Sequence, residues 1–191
     1  MTSLIVPVDG LSGQSSGLDL VKSVPAPAHV GVALIAIPEG DPIELSLHLS
    51  ALDEGVLVQG LIGARARGQC SRCLQEISMS LREDIAELVF YPHRQEELIA
   101  EGDEEAEDLL VVVDDTVNLE PIIRDSLVLS MPLSPLCRPD CPGLCEECGE
   151  RWDDLPDGHE HEILDPRFSA LDALAAQLIE EAREEEAGED A

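Results

Sequence analysis

Apolar residues recur at every second position through much of the first half of the chain. From Ile43 to Ser50, Ile43, Leu45, Leu47 and Leu49 alternate with Glu44, Ser46, His48 and Ser50. That is the period of two of a strand with one wet face. Val30 to Ile37, Val56 to Ile62, Ile77 to Arg82 and Ile85 to Tyr91 read as further strands. Within the Ile77 run, Ile77, Met79 and Leu81 fall on one side. Breaks containing glycine separate several runs, a spacing that favours an antiparallel meander or a small open barrel. Residues 1–28 are rich in Gly, Ser and Pro and are expected to be a flexible N-terminal segment.

The pattern changes after Tyr91. Residues 94–108 carry Glu96, Glu97, Glu101, Asp103, Glu104, Glu105, Glu107 and Asp108, a density of like charge that favours a solvated loop. Leu109 to Val113 is expected to return to the sheet. Asn118 reads as a helix cap, with Pro121 in the first turn and Ile122, Ile123 and Leu127 on one face. Pro132 and Pro135 end that helix. Asp165-Pro166 reads as an N-cap followed by proline at the first helical position, and Phe168, Leu171, Leu174, Ala175 and Leu178 form an apolar stripe. The expected organisation is α+β. It has a mainly antiparallel β domain with one helix over 29–135, a Cys/His-rich segment over 136–164, and a C-terminal helix with an acidic tail over 165–191.

Composition sharpens this reading. The chain has 191 residues and is 44% hydrophobic, which excludes wholesale disorder. Its aromatics are only Phe90, Tyr91, Trp152 and Phe168, so the core is aliphatic and a base-stacking RNA platform is disfavoured. Forty-one acidic side chains against 11 basic ones give a net charge of −30. A field of that sign repels nucleic acid and anionic membrane and attracts basic proteins. No secretory signal is visible, and no apolar run approaches the roughly 20 residues that span a bilayer. A cytoplasmic protein with no membrane association is expected, and clustered cysteines in that compartment point to metal or redox chemistry.

All six cysteines fall in close pairs. Cys70 and Cys73 stand in C-S-R-C; Cys137, Cys141, Cys145 and Cys148 stand in C-R-P-D-C-P-G-L-C-E-E-C-G; His159 and His161 follow as H-E-H. Zinc takes four N or S ligands in a tetrahedron, and C-x₂-C supplies two from one turn. Eight candidate ligands suit one or two zinc ions. In one partition Cys145, Cys148, His159 and His161 form one site, and Cys70, Cys73, Cys137 and Cys141 the other. A second partition gathers Cys137, Cys141, Cys145 and Cys148 on one ion. A third pairs the two C-x₂-C knuckles as in a zinc ribbon. Spacing does not choose among them. A dithiol redox site belongs at a helix start in a βαβ pattern, whereas Cys70 and Cys73 lie between strands. No Ser-His-Asp set, phosphate-cradling glycine loop or H-E-x-x-H motif is present. A non-enzymatic protein without a small-molecule substrate is therefore expected.

One basic island interrupts the acidic chain. From Val56 to Arg82 the charged residues are Arg65, Arg67, Arg72 and Arg82 against Glu76, a local +3. These arginines either pair with the abundant carboxylates or form a small RNA-facing patch, with Arg65, Arg67 and Arg72 as contact candidates.

The string CSRCL (Cys70 to Leu74), then LCRPDCPGLCEECGERW (Leu136 to Trp152), then DPRFSALDAL (Asp165 to Leu174), resembles the YceD family of large ribosomal RNA subunit accumulation proteins. The resemblance covers about residues 30–179. It implies a role in accumulation or processing of large-subunit (23S) rRNA, hence in ribosome assembly. The expected partner is the large-subunit precursor, reached through a basic ribosomal protein, a local rRNA contact, or both. Family members often carry C-x-C where this chain has His159-Glu160-His161, which keeps two soft ligands at that spacing. A generic zinc-ribbon interaction module or transcription adaptor, and a C-x-x-C thiol oxidoreductase, are the competing readings.

Overall fold

The computed structural model describes residues 4–11, 17–161 and 171. The chain divides into two compact units, Met1–Gly143 and Leu144–Ala191. The expected boundary at residue 136 thus moves to Gly143, because Cys137 and Cys141 fold with the strands rather than with the segment after them.

The first unit is built on an antiparallel sheet. Its strands are β2 (Gly17–Pro25), β3 (Val30–Val32), β4 (Ile35–Ile37), β5 (Pro42–Ala51), β6 (Gly55–Gln69) and β7 (Glu76–Phe90), with β1 (Ile5–Pro7) and β8 (Thr116–Asn118) forming a separate pair. The long strand β6 organises the sheet. All fifteen of its residues pair with β7 along one edge, Gly55 opposite Phe90 through Gln69 opposite Glu76. Along its other edge Val56 to Ala64 pair with β5, and Arg67 and Gly68 pair with β4. β2 adds beyond β5. Gly68 lies where the β3–β4 hairpin approaches: a Cβ there would meet the Leu34 carbonyl oxygen at 2.0 Å, so no side chain fits. Among the described residues no pairing joins β2 to β7, so the sheet is an open one.

Ile43, Leu45, Leu47 and Leu49 are all buried, as their alternation requires. They share one core with Val56, Val58 and Ile62. The helix α2 (Glu120–Leu129) packs on β3 and β7 and buries Ile122, Ile123 and Leu127. Asn118 does not occupy the cap position, which is Leu119; from one residue earlier its side-chain oxygen accepts from the N–H of Glu120, the first residue of the helix, at 3.0 Å. Every large side chain in the fully buried set is Ile, Leu or Val.

Several expectations are corrected. Residues 1–28 supply β1 and β2, because Leu18, Leu20 and Val24 alternate across from β5 and the ladder ties them down. The two short runs Ile77 to Arg82 and Ile85 to Tyr91 are one strand. The acidic stretch is a helix, α1 (Pro92–Glu101), followed by a 3₁₀ turn at Glu104–Asp108. So the β domain carries two helices. Proline starts α1, Arg94 bridges Glu97 at 3.0 Å, and buried Ala106 accepts from the Gln95 amide at 2.8 Å. Those contacts offset the charge repulsion that suggested a loop. Leu109 to Val113 make isolated bridges rather than a strand.

In the second unit a bridge joins Leu144 to Arg151, and a short 3₁₀ turn spans Trp152–Asp154. The expected C-terminal helix over 165–191 lies, apart from Leu171, outside the described residues.

Candidate metal centres

The first centre begins where β6 ends. Cys70 to Gln75 form the turn of the β6–β7 hairpin. The Cys70 N–H donates to the Gln75 carbonyl at 2.8 Å, and the Leu74 N–H donates back to the Cys70 carbonyl at 3.0 Å. Closing so short a loop puts Leu74 in the left-handed region at φ 59°. The sulfurs of Cys70 and Cys73 thereby turn to the same side. The chain leaving α2 brings the other two. The Ser71 N–H donates to the Pro135 carbonyl at 2.8 Å, and the Arg72 guanidinium donates to the Cys141 carbonyl at 2.9 Å. The four sulfurs of Cys70, Cys73, Cys137 and Cys141 lie within 4.8 Å of one another.

Two separations are diagnostic. Cys70 Sγ stands 3.8 Å from Cys141 Sγ, and Cys73 Sγ 3.7 Å from Cys137 Sγ. A tetrahedral zinc with bonds of about 2.3 Å sets its sulfurs about 3.8 Å apart. Both of these separations match the ion, and the four sulfurs together form a set of the right kind and number for it. Electrostatics splits the group. Burial opposes ionisation of Cys70, but backbone groups of Cys73, Cys137 and Arg72 hydrogen-bond its sulfur and bring it down to about 6. Burial, with the neighbouring thiols Cys141 and Cys73 adding to it, pushes Cys137 up to about 12, and burial also raises Cys141. A divalent cation would relieve the crowding of these thiols by stabilising all four as thiolates.

The second centre repeats the turn within the second unit. The Cys145 N–H donates to the Glu150 carbonyl at 2.7 Å, and the Gly149 N–H donates to the Cys145 carbonyl at 2.9 Å. Gly149 takes the left-handed position at φ 73°, where a glycine is unstrained. Cys145, Cys148, His159 and His161 bring their ligand atoms within 4.8 Å of one another. Cys148 Sγ lies 3.6 Å from His159 Nε2, the spacing expected for a sulfur and a nitrogen on one zinc, about 3.6 Å. His159 Nε2 and His161 Nε2 are 2.7 Å apart, so holding an ion spreads the imidazoles by about 0.6 Å. Trp152 packs edge-on against His159, with ring centroids 5.7 Å apart. The backbone N–H of Cys148 lowers the Cys145 thiol, against the opposing effect of burial.

The eight sequence candidates thus form the two groups of the first partition. All six cysteines are free thiols. The arginine candidates separate. Arg72 is engaged in holding the first centre. Arg67 pairs with Asp41 at 2.9 Å. Arg65 makes no ion pair among the described residues and lines a shallow groove with Arg67, Gln69, Glu76 and Ser78. His48 faces Asp19 across β2 and β5 at 2.7 Å. Sequence reasoning missed the carbonyls of Gln75 and Glu150 that close the knuckles, and the packing of Trp152. The shared pattern C-x₂-C followed by one left-handed residue and one carbonyl was the available signal for the former.

Fold and ligand sets together define a class: an antiparallel-sheet protein with two paired-cysteine knuckles able to hold metal. Residues 58–175 match the family described as large ribosomal RNA subunit accumulation protein YceD, and the chain belongs to that family. An uncharacterized protein of Mycobacterium bovis is 41% identical over 153 residues, 80% of this chain and 72% of its own length. One of Mycobacterium leprae is 35% identical over 165 residues, 86% of this chain and 74% of its own. The uncharacterized protein YlbN of Bacillus subtilis is 27% identical over 109 residues, 56% and 59% of the two chains. No solved structure matches the chain. Among the described residues no helix is long and apolar enough to cross a membrane.

Proposed function

We propose that this chain is a non-enzymatic, zinc-binding accessory factor for accumulation of large-subunit rRNA, working in the cytoplasm during ribosome assembly. Its family membership supports a role in biogenesis of the large subunit. One observation carries the finer reading: the residues matched to the family, 58–175, include all eight ligands of the two four-membered groups. Zinc at these groups would supply rigidity, clamping the β6–β7 hairpin to the segment after α2 and closing the second knuckle on its histidines.

The charge favours a protein partner. At −30 the chain attracts a basic ribosomal protein far more readily than a phosphate backbone. Of the three arginines considered for RNA, Arg72 and Arg67 already have partners within the fold, which leaves Arg65 as the candidate for a local rRNA contact.

Three measurements test this. Zinc per chain, determined on protein purified without chelator, is expected to approach two; metal-free folded protein would remove the zinc reading. Depleting the chain from cells that make it is expected to lower large-subunit rRNA relative to small-subunit rRNA. Recovery should follow with the unaltered chain and fail with C70S/C73S. An unchanged rRNA ratio on depletion would remove the assembly reading. A basic ribosomal protein retained after nuclease treatment supports the protein route, and rRNA retained after ribosomal proteins are stripped away overturns it.

A further inference from the structure

The two ligand sets differ in access to solvent. In the first, Cys70, Cys73 and Cys141 are 0%, 2% and 1% exposed. In the second, Cys145 is buried, but Cys148 and His161 are exposed and His159 is partly so. Glu146, Glu147, Glu150 and Glu160 lie within two residues of those ligands. Their field repels anionic oxidants and leaves a neutral hydroperoxide as the oxidant with access.

We propose that the second centre is an oxidant-responsive zinc site, which a neutral hydroperoxide empties while the first centre keeps its ion. This rests on the zinc reading above. The Cys148 thiolate attacks one peroxide oxygen. The O–O bond breaks, the other oxygen leaves as alkoxide or hydroxide and takes a proton from water, and Cys148 becomes a sulfenic acid. The Cys145 thiolate, within 4.8 Å, then attacks that sulfur. The S–S bond forms and hydroxide leaves, taking up a second proton as water. The two sulfurs lose two electrons in total, and the peroxide gains them. The disulfide no longer offers a thiolate, and two imidazoles cannot retain zinc alone, so the ion is released. The buried first set gives the peroxide no sulfur to reach, apart from the half-covered Cys137, which stands 3.7 Å from Cys73, the spacing of two sulfurs on one ion.

The chain reports on this directly, because Trp152 is its sole tryptophan and lies against His159. Zinc-loaded full-length protein is treated with hydrogen peroxide, and a colorimetric chelator follows the released metal. The zinc content measured beforehand tests the zinc reading independently. The expected result is loss of one of two zinc ions, a change in Trp152 emission in step with it, and a Cys145–Cys148 disulfide by peptide mapping. Thiol reduction followed by zinc addition should restore the signal. The C148H variant keeps a ligand at that position but lacks the thiol. It is expected to hold two zinc ions and release none above the buffer control. Release of both ions together, release of neither, a disulfide within the Cys70 set, or an unchanged response in C148H would each overturn the proposal.

Discussion

The two knuckles are one turn placed in two settings. In each, the first cysteine donates to a carbonyl five residues on and accepts from the N–H four residues on. The distances are 2.8 and 3.0 Å at Cys70, and 2.7 and 2.9 Å at Cys145. The local geometry therefore follows from C-x₂-C and a left-handed residue, and is indifferent to surroundings. What the surroundings decide is how much chain each metal would bind together. Cys73 and Cys137 are 64 residues apart, while Cys148 and His159 are 11 apart. Closing a loop restricts the unfolded chain by about 4 kcal/mol for the longer span and about 3 kcal/mol for the shorter. The first also joins a sheet to the chain beyond a helix; the second joins only a short exposed segment to itself.

The largest predicted effect breaks the long loop. C73S/C137S is expected to lose one zinc and lower the Tm of the strand signal in circular dichroism by about 10 °C. A Tm unchanged within error would show that metal contributes nothing to the first unit. C145S/C148S is the counterpart. It too should lose one zinc, yet leave that strand transition where it was, with the change confined to Trp152 emission. Equal effects of the two double variants on the strand signal would erase the distinction.

The next effect is on pH. At pH 7 Cys137 and Cys141 carry protons because both stand above the ordinary 9.0, so the first centre releases at least those two on binding metal. Its zinc affinity should climb between pH 7 and 9 more steeply than that of the second centre, which has half as many sulfurs; competition with a chelating dye measures both. In metal-free protein the thiols act on stability by themselves, in opposite directions. Cys70 is depressed to about 6, so its contribution to stability is present above its unfolded pKa and is lost as pH falls from 9 through 6. Cys137 is raised to about 12, so its contribution is present below 9 and is lost as pH rises through 12. Urea unfolding of the metal-free chain should accordingly show these sulfurs favouring the fold most near pH 9, and a monotonic profile would contradict both assignments.

The smallest effect lies in the left-handed position itself. L74G removes a strained, exposed side chain and should raise stability by about 0.5–1 kcal/mol. G149A meets no atom within 4 Å of its new Cβ, so it should lose about 1 kcal/mol from backbone strain alone. Denaturant midpoints resolve the opposite signs.

The ligand sets were legible in the sequence because cysteine chemistry is local: two residues of separation all but dictate a knuckle. Which knuckle joined which distant pair was not, since it depends on where α2 delivers Cys137 and Cys141. The alternation from Ile43 to Leu49 announced β5 plainly. β2 was hidden because Lys22 on its inward side and exposed Val21 on its outward side interrupt the apolar alternation, and glycine and serine precede it; only the ladder to β5 reveals it. β6 appeared to stop at Ile62 because Gly63, Ala64, Ala66 and Gly68 present little apolar bulk, although Arg65 and Arg67 keep the alternation. α1 was obscured by its charges, whose repulsion is outweighed by a proline start and the anchoring of Ala106.

Placing a metal knuckle at the tip of a hairpin whose arms are about 50 Å long has a consequence for alignment. Near the tip, Ala64 and Ala66 stand opposite Leu81 and Met79, and Gly68 opposite Ile77. Small residues facing such adaptable neighbours distinguish poorly between one seating and another two residues along, which would keep every side chain on its proper face. The closed turn from Cys70 to Gln75 removes that freedom, much as the pin of a hinge keeps its two leaves in step.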